Sequence, residues 1–340
     1  MNDLSTLLGI ALDTKVSTTK PHRAGPEIVH DLILSRLPRQ NQPLASAAAH
    51  HFEKPGKMLR ASMVMQCASL LSIDQTAASR WAAAIEVLHN ASLIHDDICD
   101  GDKLRRGRQA VWAKFGRNVA LTLGDWLIAL AFELAAEAAQ ISKTPRLVPI
   151  LARHMSTTTA GEAMEFECHR GHNWDSYLKI AADKTAPLLT APLQGVTIMA
   201  GDTTAEAKIW RYFRDLGKAY QIANDILNFL GSDGAKLVAG DLARRAPNAV
   251  ILSYASLLSS PMRAQFDTWL NDGDNGALDE WQSKIINSNA ISDTARRMVE
   301  ILDDAQAEAD TLAPEIGEII APVHALIMQI CSKSAKRSYR

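Results

Sequence analysis

Apolar residues recur at helical spacing along most of this chain. The stretches 80–97 (RWAAAIEVLHNASLIHDD), 119–140 (VALTLGDWLIALAFELAAEAAQ) and 205–230 (AEAKIWRYFRDLGKAYQIANDILNFL) are long and apolar over much of their circumference. Such segments predict helices at the centre of a large helical body. Runs of alternating Val, Ile or Thr bounded by turn residues are close to absent, so strand signals are weak. Breakers divide the pattern: Pro21 and Gly25-Pro26 close a variable leader (1–25), Pro55-Gly56 opens a helix, 101–107 is a charged loop, and Gly201-Asp202 ends another helix. Residues 231–248 form the one long irregular stretch in the second half, and 249–336 read as shorter amphipathic helices. No low-complexity linker interrupts the 340 residues. The expectation is a single all-α domain over 1–340, with about a dozen helices.

Composition narrows the class. Apolar residues make up 47% and charged residues 22%, the balance of a folded globule rather than a disordered chain. Lys plus Arg is 36 against 38 Asp plus Glu, a net charge of -2. Nucleic-acid binding through phosphate neutralisation wants a far more basic chain, so no nucleic-acid partner is expected and any anion site is local. Cys67, Cys99, Cys168 and Cys331 are too scattered for a zinc site and too few for a disulfide framework. A reducing cytoplasm is the simple reading. No uninterrupted apolar run of 18 residues occurs, so no transmembrane segment is expected. Asn90-Ala91-Ser92 matches a glycosylation acceptor, but inside an apolar helix it reads as chance.

The densest chemistry is HDDICDGDKLRRG (95–107). Asp96 and Asp100 lie one helical turn apart with Asp97 beside them. Packed carboxylates repel one another unless a cation neutralises them. Hard oxygen donors beside an open face suit Mg²⁺, which keeps waters and takes substrate phosphate oxygens. Arg105 and Arg106 add guanidinium forks suited to phosphate. In QIANDILN (221–228), Asn224 and Asn228 lie one turn apart around Asp225, leaving one carboxylate. Lys57 and Arg60 share a helix face near its start, where anions are favoured. Lys184-Thr185 sits within an apolar helix, where a lysine either snorkels or has an anionic partner.

Together these segments, from about residue 55 to 242, resemble the trans-isoprenyl diphosphate synthases of the polyprenyl synthetase family. HDDICDGDKLRRG is similar to that family's first aspartate-rich motif, DDxxD followed by RRG. PGKMLR resembles GGKxxRP, with Pro55 and Ala61 departing from it, and 114–132 resembles the FG…GD…AF helix. GEAMEFE (161–167) resembles GExxQ, with Glu165 where Gln is usual. LGKAYQIANDILN resembles GxxFQxxDDxxD, with Asn224 and Asn228 where Asp is usual. GAKLVAGDLARRAPN keeps Lys236 and Asp241-Leu242. It lacks the family's GK-TLP ending, so a second phosphate-contacting Lys is missing or replaced by Arg244 or Arg245.

The resemblance implies the isoprenoid synthase fold, a helical bundle around a central cavity in which the two acidic helices oppose each other, and a likeness to geranylgeranyl and farnesyl diphosphate synthases. It implies head-to-tail trans condensation of isopentenyl diphosphate with an allylic diphosphate. Up to three Mg²⁺ ions would assist, the third weakened by the missing aspartates. By position, Asp96 and Asp100 would ligate metal with Asp97 in support, and Asn224 and Asp225 would contribute from the second motif. Arg105, Lys184 and Gln221 would contact the allylic diphosphate, and Thr185 and Lys236 would also bind substrate. Lys57, Arg60, His89 and Arg106 would bind isopentenyl diphosphate. Asp96, Asp97, Asp100, Lys184 and Arg105 make the implied catalytic set. A homodimer is implied, with the Trp126 helix as an interface element. The basic end, Lys336 to Arg340, would fold over the isopentenyl diphosphate site.

Product length is expected to be set by the turns preceding Asp96, since one turn spans about 5.4 Å, close to one isoprene unit. The family places bulky aromatics four and five residues before the first Asp when growth stops at fifteen carbons. Ser92 and Ala91 stand there, both small, which moves the floor towards Leu88 or Trp126 and predicts geranylgeranyl diphosphate. Two other functions fit some of these residues. A class I terpene synthase-like enzyme would ionise a prenyl diphosphate without condensing it, and Asn224-Asp225 matches the start of that class's metal motif. It would also want Ser at 228 and Glu at 232, where Asn228 and Ser232 stand, and has no need of Lys57, Arg60 and His89. A non-catalytic subunit of a heteromeric synthase would also lose aspartates, though usually from the first motif too.

Overall fold

The computed structural model describes residues 25–54, 56–167, 173–231, 239–272 and 275–338. Pro55, Cys168, Lys236 and most of the leader lie outside them, as do the side chains from 336 onward. The helices are α1 (Gly25–Arg36), α2 (Ala45–Phe52), α3 (Leu59–Leu70), α4 (Gln75–Cys99), α5 (Val111–Phe115), α6 (Arg117–Ser142), α7 (Leu147–Glu167), α8 (Trp174–Met199), α9 (Glu206–Phe229), α10 (Gly240–Arg244), α11 (Ala249–Leu257), α12 (Ser260–Asp272), α13 (Leu278–Ile286), α14 (Ala290–Ala309) and α15 (Pro314–Ser338). Among the described residues the only sheet is a hairpin of β1 (Leu104–Arg105) with β2 (Arg108–Gln109). The all-helical expectation holds, with fifteen helices among the described residues rather than about a dozen.

The chain groups into two compact units: Met1–Met155 with Thr190–Glu206, and Ser156–Leu189 with Ala207–Arg340. In the first, α4 is the axis. Asp74 caps its start by accepting from Thr76 N and Ala77 N, both at 2.9 Å. From Ala77 to Ile98 nearly every side chain is buried, because α1, α3 and α6 all pack on this helix. α6 meets it with a stripe of Leu123, Leu127, Leu130, Ala131 and Leu134, the three-and-four spacing of an amphipathic core helix.

α6 and the stretch Pro314–Ala335 are long and apolar enough to cross a membrane by length and composition alone. An uninterrupted apolar run was therefore too strict a test. The charges of α6 are nonetheless tied within the unit: Glu137 accepts from Arg36 at 2.7 Å and from Arg80 at 2.8 Å, and Glu133 pairs with Arg36 at 3.1 Å.

In the second unit, α15 crosses α9 through small polar contacts. Ser334 Oγ donates to the carbonyl of Ala223 at 3.2 Å, and Tyr212 Oη meets His324 Nδ1 at 3.1 Å. α11 is joined to α14 by Thr294 Oγ1 donating to Ser253 Oγ at 2.8 Å. Tyr254, Phe266, Trp269 and Trp281 form an aromatic cluster beneath them.

One close approach fixes how deep α4 seats in the first unit. The fully buried Trp81 donates its indole N–H to the carbonyl of Ala191 at 3.2 Å, and its ring lies over Gly195. A Cβ at Gly195 would sit 2.1 Å from Trp81 Nε1. Gly195→Ala is therefore expected to cost about 1–3 kcal/mol through overpacking, read as a lowered urea midpoint with unchanged m-value. An unchanged midpoint would contradict this packing.

Candidate active site

The last turn of α4 delivers the first acidic cluster. Asp96 and Asp97 are buried, and Asp100 is half-buried where the helix ends, its N–H bonded to the Asp96 carbonyl at 2.8 Å. The chain then turns back through the β1–β2 hairpin. Arg106 and Gly107 both take positive φ, 53° and 75°, the pairing that a two-residue hairpin turn requires. That reversal returns Arg105 to α4, where its Nε donates to Asp97 Oδ1 at 2.8 Å and its Nη2 reaches the same oxygen. Both side chains are almost wholly buried. Burial pushes the Asp97 carboxyl up to about 6, against the pull of Arg105. The other carboxylate oxygen, Asp97 Oδ2, is buried and accepts no hydrogen bond.

Arg106 points the other way from the same turn. Its Nη1 donates to the carbonyl of Lys54 at 3.0 Å, and its Nη2 lies 3.5 Å from Asn90 Oδ1. Gly56 lets the guanidinium this close, since a Cβ there would be 3.0 Å from Arg106 Nη2. His51 Nε2 also meets Asn90 Oδ1, at 2.9 Å. Burial, then the charge of Arg106, lowers His51 to about 3, so it is neutral and donates to Asn90. Asn90 in turn donates to the Glu86 carbonyl at 2.7 Å. Asn90 is thus a buried hub, and its burial agrees with the glycosylation match being chance. Glu86 Oε1 accepts from the Ala61 N–H at 3.0 Å, fixing the start of α3 beside α4. Arg60 is buried at that start, Lys57 is half-buried just before it, and His89 is buried on α4 two turns before Asp96. These placements bring Lys57, Arg60, His89, Arg105, Arg106, Asp96, Asp97 and Asp100 into one unit. Beside them His95 lies over Gly124, whose Cβ would be 2.0 Å from its Nε2, and meets the Leu121 carbonyl at 3.3 Å.

The second cluster is built in the other unit. Gly161 brings α7 against α8: a Cβ there would be 2.9 Å from Lys184 N. Lys184, buried, is 2.8 Å from Glu162 Oε2 and in still closer contact with Glu165 Oε2. The lysine has the anionic partner its apolar helix demands, and it has two. Thr185, next in the chain, sits against Gly217 of α9. On α9, Asp225 is held from three sides: Tyr177 Oη donates to Oδ2 at 2.6 Å, Ala249 N to Oδ2 at 2.7 Å, and Gln221 Nε2 to Oδ1 at 3.3 Å. Burial, then the nearby Asp241, raises Asp225 well above the ordinary carboxylate range. Burial likewise raises Tyr177. Tyr177 was not visible to sequence reading, since it lies 48 residues from Asp225 and belongs to no motif.

Asn228 holds the segment that begins at Ala239. Its Oδ1 accepts from Asp241 N at 3.3 Å and its carbonyl from Ala239 N at 3.0 Å. Arg244 and Arg245 are engaged locally: Arg244 donates to Asp241 at 2.8 Å, and the Arg245 guanidinium stacks over Trp269 at 5.2 Å.

Among the described residues no three His, Cys, Asp or Glu side chains come together as a ready metal cage. The donors are oxygens, and several are buried without a hydrogen-bond donor: Asp97 Oδ2, Thr185 Oγ1, Gln221 Oε1 and Asn224 Oδ1. A buried oxygen left unsatisfied is costly unless a cation or ligand reaches it. Within each unit, oxygens of this kind suit a hard divalent cation that takes its remaining ligands from water and substrate.

The polyprenyl synthetase family profile matches residues 41–285. The chain belongs to that family. It is 34% identical over 197 residues to geranylgeranyl diphosphate synthase of Saccharolobus solfataricus, covering 56% of this chain and 59% of that protein. It is 32% identical over 220 residues to geranylgeranyl diphosphate synthase of Mycobacterium tuberculosis, covering 60% and 63%. The match thus spans about three fifths of these relatives' own length. The crystal structure of polyprenyl synthase from Caulobacter crescentus CB15, complexed with calcium and isoprenyl diphosphate, superposes with a TM-score of 0.75 at 26% identity, over 92% of this chain and 99% of that one. The helical architecture is the isoprenoid synthase fold.

Proposed function

We propose that this protein is a trans-isoprenyl diphosphate synthase that condenses isopentenyl diphosphate with an allylic diphosphate. The observation that carries the reading is the end of α4. One helix turn and one hairpin set Asp96, Asp97 and Asp100 beside the anchored Arg105, with Arg106, Lys57, Arg60 and His89 fixed in the same unit. An enzyme that only ionised a prenyl diphosphate has no use for that second group of cations and His89.

Family membership implies dependence on a divalent metal, and we take it to be Mg²⁺, up to three ions. When bound, the metal stabilises negative charge on the leaving diphosphate. Asp96 and Asp100 hold it from the first motif. Asn224 offers its buried carbonyl oxygen from the second, but brings no charge, so binding there is weaker. Asp225 adds the one carboxylate of that motif: Tyr177 and Ala249 N hold its Oδ2, and Oδ1, met by Gln221 at 3.3 Å, keeps acceptor capacity for the metal. Arg105, Lys184, Thr185 and Gln221 bind the allylic diphosphate, and Lys57, Arg60, His89 and Arg106 bind isopentenyl diphosphate. Buried apolar walls on α4 keep water from the reacting carbons. The assembly is a homodimer, and α6 leaves Leu121 and Ile141 exposed for such a contact.

The main product is geranylgeranyl diphosphate, the product named for the two relatives above. Ala91 is fully buried and small, Leu88 is buried, and Ser92 is half-buried with its hydroxyl turned onto the His89 carbonyl at 2.8 Å. No aromatic side chain stands at either position just before Asp96 to stop growth early.

Two measurements test this reading. Asp96→Ala is expected to lower turnover by about 100-fold or more at any practical Mg²⁺ concentration, while Asn224→Asp preserves or raises it and lowers the Mg²⁺ needed for half-maximal rate. If a folded Asn224→Asp protein is inactive, the Asn serves a different reaction and the terpene synthase-like reading gains. Ala91→Phe is expected to shorten the product to farnesyl diphosphate by product chromatography. Unchanged length in a folded variant means that position 91 does not line the growing chain.

A further inference from the structure

We propose that Glu165 sets the affinity for the allylic diphosphate by holding Lys184 in an ion pair that the substrate must break. The inference rests on the assignment of Lys184 to that diphosphate. Lys184 lies 5% exposed on α8. Its ammonium is shared between Glu162 and Glu165, one turn apart on α7, and each carboxylate side chain is only 18% exposed. Gly161 makes the arrangement possible, because any side chain there would hold α7 off the backbone of Asp183 and Lys184.

One ammonium facing two carboxylates leaves the group with one net negative charge. Such a group repels an arriving diphosphate instead of attracting it. In this partly dry setting charges interact far more strongly than at an open surface. The diphosphate must therefore draw Lys184 away from at least one carboxylate before the lysine can bind it. The two carboxylates left behind then face each other with less compensation. Glu165 holds the ammonium through Oε2. Its charge also reaches Tyr177 and Asp225, so it acts where α7, α8 and α9 converge within this unit. A neutral amide at 165 would keep a hydrogen-bonding partner for Lys184 and remove the surplus charge. Glu162 alone would then balance the ammonium.

Glu165 is a positioning residue in this account, and its signature is a KM effect confined to one substrate. Glu165→Gln is expected to lower the Kd for inorganic diphosphate, and for a non-ionising allylic thiolodiphosphate, by about tenfold in calorimetry. The KM for the allylic substrate should fall in parallel while the KM for isopentenyl diphosphate stays unchanged. In a Lys184→Gln background the same change at 165 should give no gain, because the pair it relieves is gone. Unchanged or weakened diphosphate binding in Glu165→Gln overturns the proposal, as does an equal gain in both backgrounds. Thermal unfolding reports whether each variant is folded. If Lys184→Gln is not, the Glu165→Gln arm decides alone. Turnover of the wild type with both substrates tests the synthase reading separately, and the binding cycle reports on the clamp whether or not the chain condenses them.

Discussion

Charged side chains buried in helical cores have to be matched, and the functional regions of this protein are organised around that requirement. An isolated ion in low dielectric is costly by several kcal/mol, while a paired and hydrogen-bonded one is tolerable. Asp97 is buried because the β1–β2 hairpin brings Arg105 back onto it. Lys184 is buried because α7 presents Glu162 and Glu165. Asp225 is buried because Tyr177, Gln221 and the first amide of α11 converge on it. Each match joins segments distant in sequence, so it fixes helix placement as well as charge.

Close packing of helices is the second half of the design. Gly124 admits His95, Gly161 admits the backbone of α8, Gly195 admits Trp81, and Gly217 faces Thr185. None of the four is needed for an unusual backbone angle; each removes a side chain where another group has to pass. Because the chemistry-bearing residues sit next to these contacts, the packing and the site cannot be altered independently.

The motifs were legible because their residues lie within a few turns of one another. The DDxxD spacing puts Asp96 and Asp100 on one face at the end of α4, whereas Lys57 and Arg60 do not share a helix face: α3 begins only at Leu59, after Met58 at φ 51°. The fold class was legible because apolar periodicity runs nearly the whole length. What the sequence did not show were the partners. Asn90 looked like a stray sequon, yet it links His51, Arg106 and Glu86. Glu162 lies in a recognisable segment, but its pairing with Lys184 comes from 22 positions away, and Tyr177 carries no local signal because its partner is 48 positions away. The hairpin escaped because two residues per strand leave no alternation to detect. Lys236 and the side chains of the basic tail lie outside the described residues, so the roles implied for them rest on resemblance alone.

The substitutions at 165, 224 and 228 follow the same electrostatic logic. Asn228 can accept the Asp241 amide without adding a third carboxylate beside Asp225 and Asp241. Asn224 leaves a neutral oxygen where a charged one would sit, and Glu165 adds a charge on a neighbouring helix. The most direct measurement is incubation of the purified full chain with Mg²⁺ and farnesyl diphosphate, with and without radiolabelled isopentenyl diphosphate, followed by product chromatography. The account predicts a longer labelled all-trans prenyl diphosphate that forms only when isopentenyl diphosphate is present. Release of diphosphate with a hydrocarbon or alcohol product and no label incorporated, or no conversion at all, would contradict it.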